Sequence, residues 1–166
     1  AAVEMVATML AKRQRRKIIY LGSKDDMRDE QRFRGYDDAM RQHHLEAHRI
    51  NPRAISSIHL GAQLMREALL AHPDLDGVFC TNDDIAMGAL LHCREHQLAV
   101  PEQISIAGFH GLEMGKQMIP SLASVITPRF DIGRMAAQML LNKLRNDGLN
   151  RNTVDLGYQI YHGNTP

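Results

Sequence analysis

The chain has 166 residues, and its 20 Lys and Arg nearly balance its 19 Asp and Glu, so its formal net charge is +1. This length is sufficient for one domain with a hydrophobic core, and the near-neutral charge predicts no bulk attraction to nucleic acid or to an anionic membrane. The two cysteines do not make a disulfide framework, and no apolar run approaches the length of a membrane span. The sequence does not begin with a signal-peptide pattern. We therefore expect a soluble, cytoplasmic domain with no membrane partner.

Helical and strand-like patterns alternate along the first part of the chain. Residues 1–11 have helical spacing and are followed by the basic stretch 12–17. We interpret this stretch as the solvated end of a helix, where positive charge suits the helix dipole, with contact to phosphate as the alternative. Residues 18–21 form an apolar run typical of a buried strand. A helix is predicted over 29–42, and a weak strand or a loop over 55–60.

The centre of the sequence is a short apolar run at 78–81. Because this run cannot alternate between apolar and polar residues, it predicts a strand buried on both faces. An amphipathic helix is predicted before it, over 61–72. A second helix is predicted after it, over 83–97, and Asn82 and Asp83 are residue types that favour helix starts. A buried strand that leads directly into a capped helix is the core of a βα unit.

The last part of the chain continues the same alternation. Strands are predicted over 104–108 and 124–128, and an amphipathic helix over 131–145. Alternating apolar and polar residues over 153–161 are typical of an edge strand. The whole pattern predicts an α/β fold, a doubly wound parallel sheet with helices on both faces.

The signatures of common catalytic and cofactor-binding sites are missing from the sequence. It contains no G-x-S-x-G turn, no phosphate-binding loop and no H-E-x-x-H helix, so we expect no enzyme and no cofactor. His44 and His48 lie four residues apart, a spacing that could hold a metal on a helix. Because no carboxylate or cysteine completes a recognisable ligand set, we predict no metal site.

Polar side chains at predicted strand ends and helix starts could hydrogen-bond a polyol. They are Arg32, Asn82, Asp83, His110 and Arg129. Each also has a simpler interpretation: the asparagine and aspartate only cap a helix, the histidine makes a loop contact, and the arginines are solvated. Since open parallel sheets hold ligands at the carboxyl ends of their strands, we predict a site for a small polar ligand there.

Four segments resemble, in the right order, motifs of the lactose/galactose-repressor family of bacterial transcription regulators. They are RFRGY (32–36), DGVFCTNDDIAMGA (76–89), VPEQISIAGF (100–109) and PSLASVITP (120–128). The tripeptides FHG and TPR, which contain His110 and Arg129, look like the branch of that family that responds to sugar acids, the gluconate and L-idonate regulators.

The resemblance implies the effector-binding core of a regulator, with the fold of the C-terminal half of a type I periplasmic binding protein. Residues 1–124 and 149–166 would form the C-terminal subdomain, and 125–148 would cross to an N-terminal subdomain. That subdomain and the helix-turn-helix headpiece, which alone would bind operator DNA, are absent from the sequence. Because the family dimerises through this half, Met87 and Met118 are candidate residues of a homodimer interface, with ordinary core methionine as the alternative.

Carried over position by position, Arg32, Asn82 and His110 would line the sugar site, with Asp83 beside them. Most of the family has Asp at the position of His110 and an aromatic residue at that of Arg129. Both differences move the site towards positive charge, and a guanidinium can bind a carboxylate through two hydrogen bonds. The resemblance therefore implies a sugar acid as ligand: gluconate, L-idonate or 5-ketogluconate.

On this hypothesis Arg32 and Arg129 share the carboxylate of the ligand, and binding shifts the dimer between operator-binding states. The alternative role for Arg129 is a structural ion pair with Asp131 or Glu113. Two other functions also compete with a regulator. One is a sugar-binding receptor of the periplasmic type, and the other is an enzyme of sugar-acid metabolism, for which no acid/base pair or cofactor loop is present.

Overall fold

Strands and helices alternate along the chain in a computed structural model that describes residues 1–23, 27–145 and 153–166. The helices α1 to α6 are Ala2–Arg13, Met27–Gln42, Ile58–Ala71, Asp83–Glu95, Glu113–Gln117 and Arg129–Leu144. The strands β1 to β6 are Ile18–Leu21, His48–Ile50, Gly77–Cys80, Ser105–His110, Ala123–Ile126 and Gln159–Tyr161. None of the described helices is long and apolar enough to cross a bilayer.

One sheet of six strands organises the fold, in the order β2-β1-β3-β4-β5-β6. The first five strands run parallel, and β6 pairs antiparallel with β5 at the edge. The prediction of a parallel α/β sheet is confirmed, with β6 as the one antiparallel strand. From β1 the chain moves outwards to β2 and then returns to the other side of β1 to form β3. This reversal leaves a crevice outside the carboxyl ends of β1 and β3.

The central strands bury both of their faces, as their continuous apolar runs predict. Val78 and Cys80 pack in the cluster that includes residues of α3 and α4, whereas Phe79 packs in the cluster that includes residues of α1 and α2. Ile19 and Tyr20 of β1 divide between the two clusters in the same way. Because successive side chains of a strand point to opposite faces, each of these strands packs against helices on both faces. Both faces are apolar, so neither strand alternates between apolar and polar residues.

The second strand lies where the sequence does not predict it. Of the weak strand or loop expected over 55–60, residues 55–57 are a loop, whereas the strand alternative is wrong: β2 is His48–Ile50, and α3 already begins at Ile58. Ser57 caps this helix, since its side chain accepts the backbone N–H of Leu60 at 3.0 Å. The β2 strand has three residues, only half-buried, at the sheet edge. It therefore lacks the apolar run that reveals a central strand.

The basic stretch 12–17 is only partly a solvated helix end. Lys12 and Arg13 lie in the last turn of α1, as expected. Arg15, in contrast, donates from its guanidinium to the carbonyl oxygen of Gln103 at 3.0 Å and to Oγ of Ser105 at 2.9 Å. This arginine ties the loop after α1 to the start of β4.

Residues 125–148 combine a strand and a helix with opposite surroundings. The strand, β5, lies inside the sheet between β4 and β6. The helix, α6, buries none of its side chains, and Phe130 and Leu144 are 82% and 73% exposed. The predicted boundary at 148 lies outside the described residues. The assignment of this segment to a second subdomain stays a prediction.

Two glycines allow α3 and α4 to pack closely. A Cβ atom at Gly88 would overlap the carbonyl oxygen of Ile58 and lie 2.7 Å from the backbone nitrogen of Ala62. A Cβ atom at Gly61 would overlap the carbonyl oxygen of Ile85. Because the obstructing atoms belong to the backbone, neither site can relax by a side-chain rotation.

We expect Gly88→Ala to lower the free energy of unfolding by about 1–3 kcal/mol, since the added methyl group forces the two helices apart. Gly133→Ala is the matched control because a Cβ there meets nothing within 4 Å. That control should raise stability by roughly 0.5–1 kcal/mol, the gain of alanine over glycine in a helix. Urea denaturation followed by circular dichroism measures both values. Equal effects of the two substitutions would contradict close packing at Gly88.

Candidate functional site

A cleft of about 210 Å³ lies outside the carboxyl ends of β1, β3 and β4. Ser23 follows β1, Thr81 and Asn82 follow β3, and His110 ends β4. The cleft is lined by Ser23, Arg28, Asp29, Arg32, Ile55, Ser56, Thr81, Asn82 and His110. It lies at the reversal of strand order, where an open α/β sheet holds its ligand. Three of the five predicted residues, Arg32, Asn82 and His110, meet there.

Arg32 reaches the cleft from α2 and is held in one orientation. Its Nη1 donates to the carbonyl oxygen of Thr81 at 2.7 Å, and its guanidinium carbon lies 4.3 Å from the centre of the Phe109 ring. Stacking and this hydrogen bond fix the orientation of the guanidinium at the cleft.

His110 departs from ordinary values in both its backbone conformation and its pKa. Its ring Nε2 lies 3.4 Å from Nη2 of Arg32, and its backbone φ is +116°, in a region that a side chain disfavours. Burial, together with the positive charges of Arg32, Arg129 and Arg28, lowers the pKa of His110 to about 4. The ring is therefore neutral at neutral pH. Its low pKa results first from burial and then from the positive charge of three arginines at this end of the sheet.

Asn82 caps α4 and also lies in the cleft. Its Oδ1 accepts the backbone N–H of Ile85 at 3.1 Å, which confirms the capping interpretation. Its Nδ2 lies 2.7 Å from Oγ of Ser56, in the segment that precedes α3. The same side chain thus begins a helix and presents polar atoms at the cleft.

Asp83 is 1% exposed and does not line the cleft. Its Oδ2 accepts the backbone N–H of Leu112 at 2.6 Å, and its Oδ1 accepts the hydroxyl of Ser124 at 2.6 Å. The Ser124 hydroxyl oxygen also accepts the backbone N–H of Gly111 at 2.9 Å. Burial raises the pKa of Asp83. This carboxylate positions the turn after His110, so it acts on the site through the backbone.

Arg129 is exposed at the first position of α6, outside the cleft lining. Of its two proposed ion-pair partners, Asp131 pairs with Arg134 at 3.3 Å and Glu113 with Lys116 at 4.0 Å. Among the described residues neither carboxylate forms an ion pair with Arg129. Its charge is close enough to lower the pKa of His110.

Sequence reasoning missed Arg28 and Asp29, which line the cleft at the start of α2. Asp29 is 2% exposed and accepts hydrogen bonds from the Tyr20 hydroxyl at 2.9 Å and from Nη2 of Arg49 at 2.6 Å. Its negative charge is thus already engaged by an arginine of β2. Their position in the sequence could have identified them, since Ser23 and the polar residues after it directly follow a buried strand.

The two methionines proposed for a dimer interface contact the core. Met87 is 2% exposed within the core on the α3 and α4 side, and Met118 is partly buried and packs against the same core. These positions fit the alternative of ordinary core methionine, and Met87 has little surface left for a partner. The interface assignment stays a prediction.

The fold and the cleft define a class of domain that holds a small polar ligand where the strand order of a parallel sheet reverses. Residues 7–165 match the family model of the periplasmic binding protein-like domain, and the chain belongs to that family.

Its relatives are transcription regulators. The chain is 79% identical to the HTH-type transcriptional regulator IdnR of Escherichia coli (strain K12), over 99% of this chain and 50% of that protein. It is 40% identical to the HTH-type transcriptional regulator GntR of the same organism, over 98% of this chain and 49% of that protein. The crystal structure of the transcription regulator GntR from Chromobacterium violaceum has a TM-score of 0.95 and 34% identity, over 99% of this chain and 61% of that chain. These matches confirm the family predicted from the motifs. The chain spans about half the length of the curated relatives it matches.

The depressed pKa of His110 predicts a pH-dependent stability. Its folded pKa of about 4 lies below the ordinary 6.5, so its contribution to stability is present above pH 6.5 and is lost as the pH falls towards 4. His110→Asn removes this contribution, and asparagine tolerates positive φ. We expect the wild type to lose stability relative to the variant between pH 7 and about pH 4.5. Urea denaturation at both pH values measures this difference, and a constant difference would contradict a depressed pKa.

Loss of the buried carboxylate should destabilise the fold. Asp83→Ala leaves the N–H of Leu112 and the hydroxyl of Ser124 without their acceptor, which we expect to lower the free energy of unfolding by at least about 1–3 kcal/mol. Asp84→Ala, one residue along the same helix turn, should lower it only by about 0.3–1 kcal/mol through the helix dipole. Chemical denaturation of the two variants compares them, and similar losses would show that the Asp83 hydrogen bonds contribute nothing of their own.

Proposed function

We propose that the chain is the effector-sensing and dimerisation part of a cytoplasmic transcription regulator of sugar-acid catabolism. The effector is a gluconate-like acid: gluconate, L-idonate or 5-ketogluconate. Ligand binding shifts a homodimer between operator-binding states, and operator DNA is bound through a headpiece elsewhere in the full-length protein. Such a shift requires a ligand with different affinities for the two states.

The observation that carries this proposal is the positive charge around His110. Arg28 and Arg32 line the cleft, and the charge of Arg129 acts on the same ring. Asp29, the acidic residue among the described residues of the lining, is bound by Arg49 at 2.6 Å. The hydroxyl groups of a neutral sugar can accept hydrogen bonds from these arginines, but the carboxylate of a sugar acid forms stronger, charge-assisted ones. Hydroxyl groups of the same ligand find polar partners in Ser56 and Asn82.

The names of the relatives support a regulator over a receptor of the periplasmic type. IdnR and GntR are transcription regulators, and both align over nearly the whole chain. An enzyme of sugar-acid metabolism has less support, because these relatives are not enzymes. In the cleft, the one histidine is neutral and held by an arginine.

We expect the full-length protein to bind gluconate, L-idonate or 5-ketogluconate, and not galactose, the neutral control, in calorimetric titration. Arg129→Ala and Arg32→Ala should each weaken binding by about 1.5–3 kcal/mol, the contribution of a charged hydrogen bond. Arg34→Ala is the matched control, since Arg34 lies on the same helix as Arg32 but faces solvent and pairs with Glu30 at 3.4 Å.

Galactose binding with an affinity equal to that of the acids would contradict the charge argument. So would binding by both arginine variants with the affinity of the Arg34 control. Turnover of any of the acids during the titration would favour the enzyme instead.

A further inference from the structure

A second cluster of ligand-type side chains lies at the opposite end of α4 from the cleft. His92 and Glu95 lie in the last turn of this helix and His96 is its C-cap, and one potential metal-binding atom from each lies within 4.8 Å of the others. Residues spaced three and four apart share one face of a helix. The helix has 13 residues, so this face is roughly 20 Å from Asn82, at 1.5 Å of rise per residue. The cluster is therefore independent of the proposed effector site.

We propose that His92, Glu95 and His96 form a binding site for a divalent transition-metal ion that prefers imidazole ligands, such as Zn²⁺, Ni²⁺ or Cu²⁺. Two histidines and one carboxylate are a sufficient set of protein ligands, with water completing the coordination. Ligand atoms 2.0–2.2 Å from a shared ion lie roughly 3–3.5 Å apart, so the side chains must approach each other slightly. Glu95 is exposed and can rotate to do so.

The hydrogen bonds of the cluster already favour coordination. Nδ1 of His96 lies 3.0 Å from the carbonyl oxygen of His92, to which it donates, and this leaves Nε2 with its lone pair for a metal. Histidines that bind metals almost always donate their other N–H to a carbonyl or carboxylate in this way. The two rings stack with centres 4.1 Å apart, so both lie on the same side of the helix.

The charges around the cluster indicate a particular role for Glu95. The last carbonyl groups of a helix carry partial negative charge, which favours a cation at this end. Arg66 of α3 acts against a cation, since its positive charge is felt at His92. The carboxylate of Glu95 offsets this repulsion. We therefore assign Glu95 a role in charge as well as in coordination.

Calorimetric titration of the untagged full-length protein with Zn²⁺, in a buffer without chelators, tests the site. The wild type should bind one ion per chain at this site. His96→Ala and Glu95→Gln should each weaken binding by at least about ten-fold, as the loss of even an outer ligand of a metal site does. Both residues are exposed, so thermal unfolding of the metal-free variants should match that of the wild type.

His44→Ala is the matched control, because His44 is exposed and lies in a turn outside the cluster. It should bind Zn²⁺ like the wild type. Zn²⁺ should also raise the melting temperature of the wild type and of this control, but not that of His96→Ala. The proposal is overturned if the wild type takes up no ion, if His96→Ala binds like the wild type, or if His44→Ala loses binding to the same degree.

Discussion

The buried carboxylate of Asp83 is the constraint on which the geometry of the cleft depends. It lies at the first turn of α4, yet its two oxygens accept hydrogen bonds from Leu112, after β4, and from Ser124, in β5. Gly108 makes room for it, since a Cβ atom there would overlap Oδ1. A buried carboxylate is stable only when such donors surround it. The start of α4 and the turn after β4 are thus locked together, and His110 is held between them at a positive φ.

The charged side chains of the cleft are oriented by the same fixed frame. His110 is half-buried beside Arg32, and this burial together with three arginines keeps the ring neutral at neutral pH. Arg32 is oriented by the Phe109 ring and by the carbonyl oxygen of Thr81. Asp29, the acid that lines the cleft, binds Arg49 instead. Arg32 and Asp29 are therefore held by residues of the scaffold before a ligand binds.

The sequence predicts best those parts of the fold that are buried on two sides. The strands β1 and β3 are continuous apolar runs in the sequence. Asn82 indicates both the start of α4 and the end of β3. The edge strand β2 has no such pattern because one side of it is not covered.

In the site, Arg32 and His110 could be predicted from strand ends and motifs. The role of Asp83 could not, because the partners of a buried carboxylate lie 29 and 41 residues away in the chain. The spacing His92-x-x-Glu95-His96 escapes a search for the opposite order, H-E-x-x-H.

The helix α6 connects the charge of the cleft with the least packed part of the chain. Its pattern is amphipathic, but none of its side chains is buried, so its apolar residues contribute little to stability in the described chain. Arg129 is its first residue, whereas Arg32 is fixed on α2. On the proposed function, a carboxylate shared by these two arginines would attach a weakly packed helix to a rigid frame. The free energy of binding the shared carboxylate differs between conformations of the protein that bring the two guanidinium groups together and conformations that hold them apart. A ligand with this property can shift a conformational equilibrium, and a ligand that contacts only the fixed side of the cleft cannot.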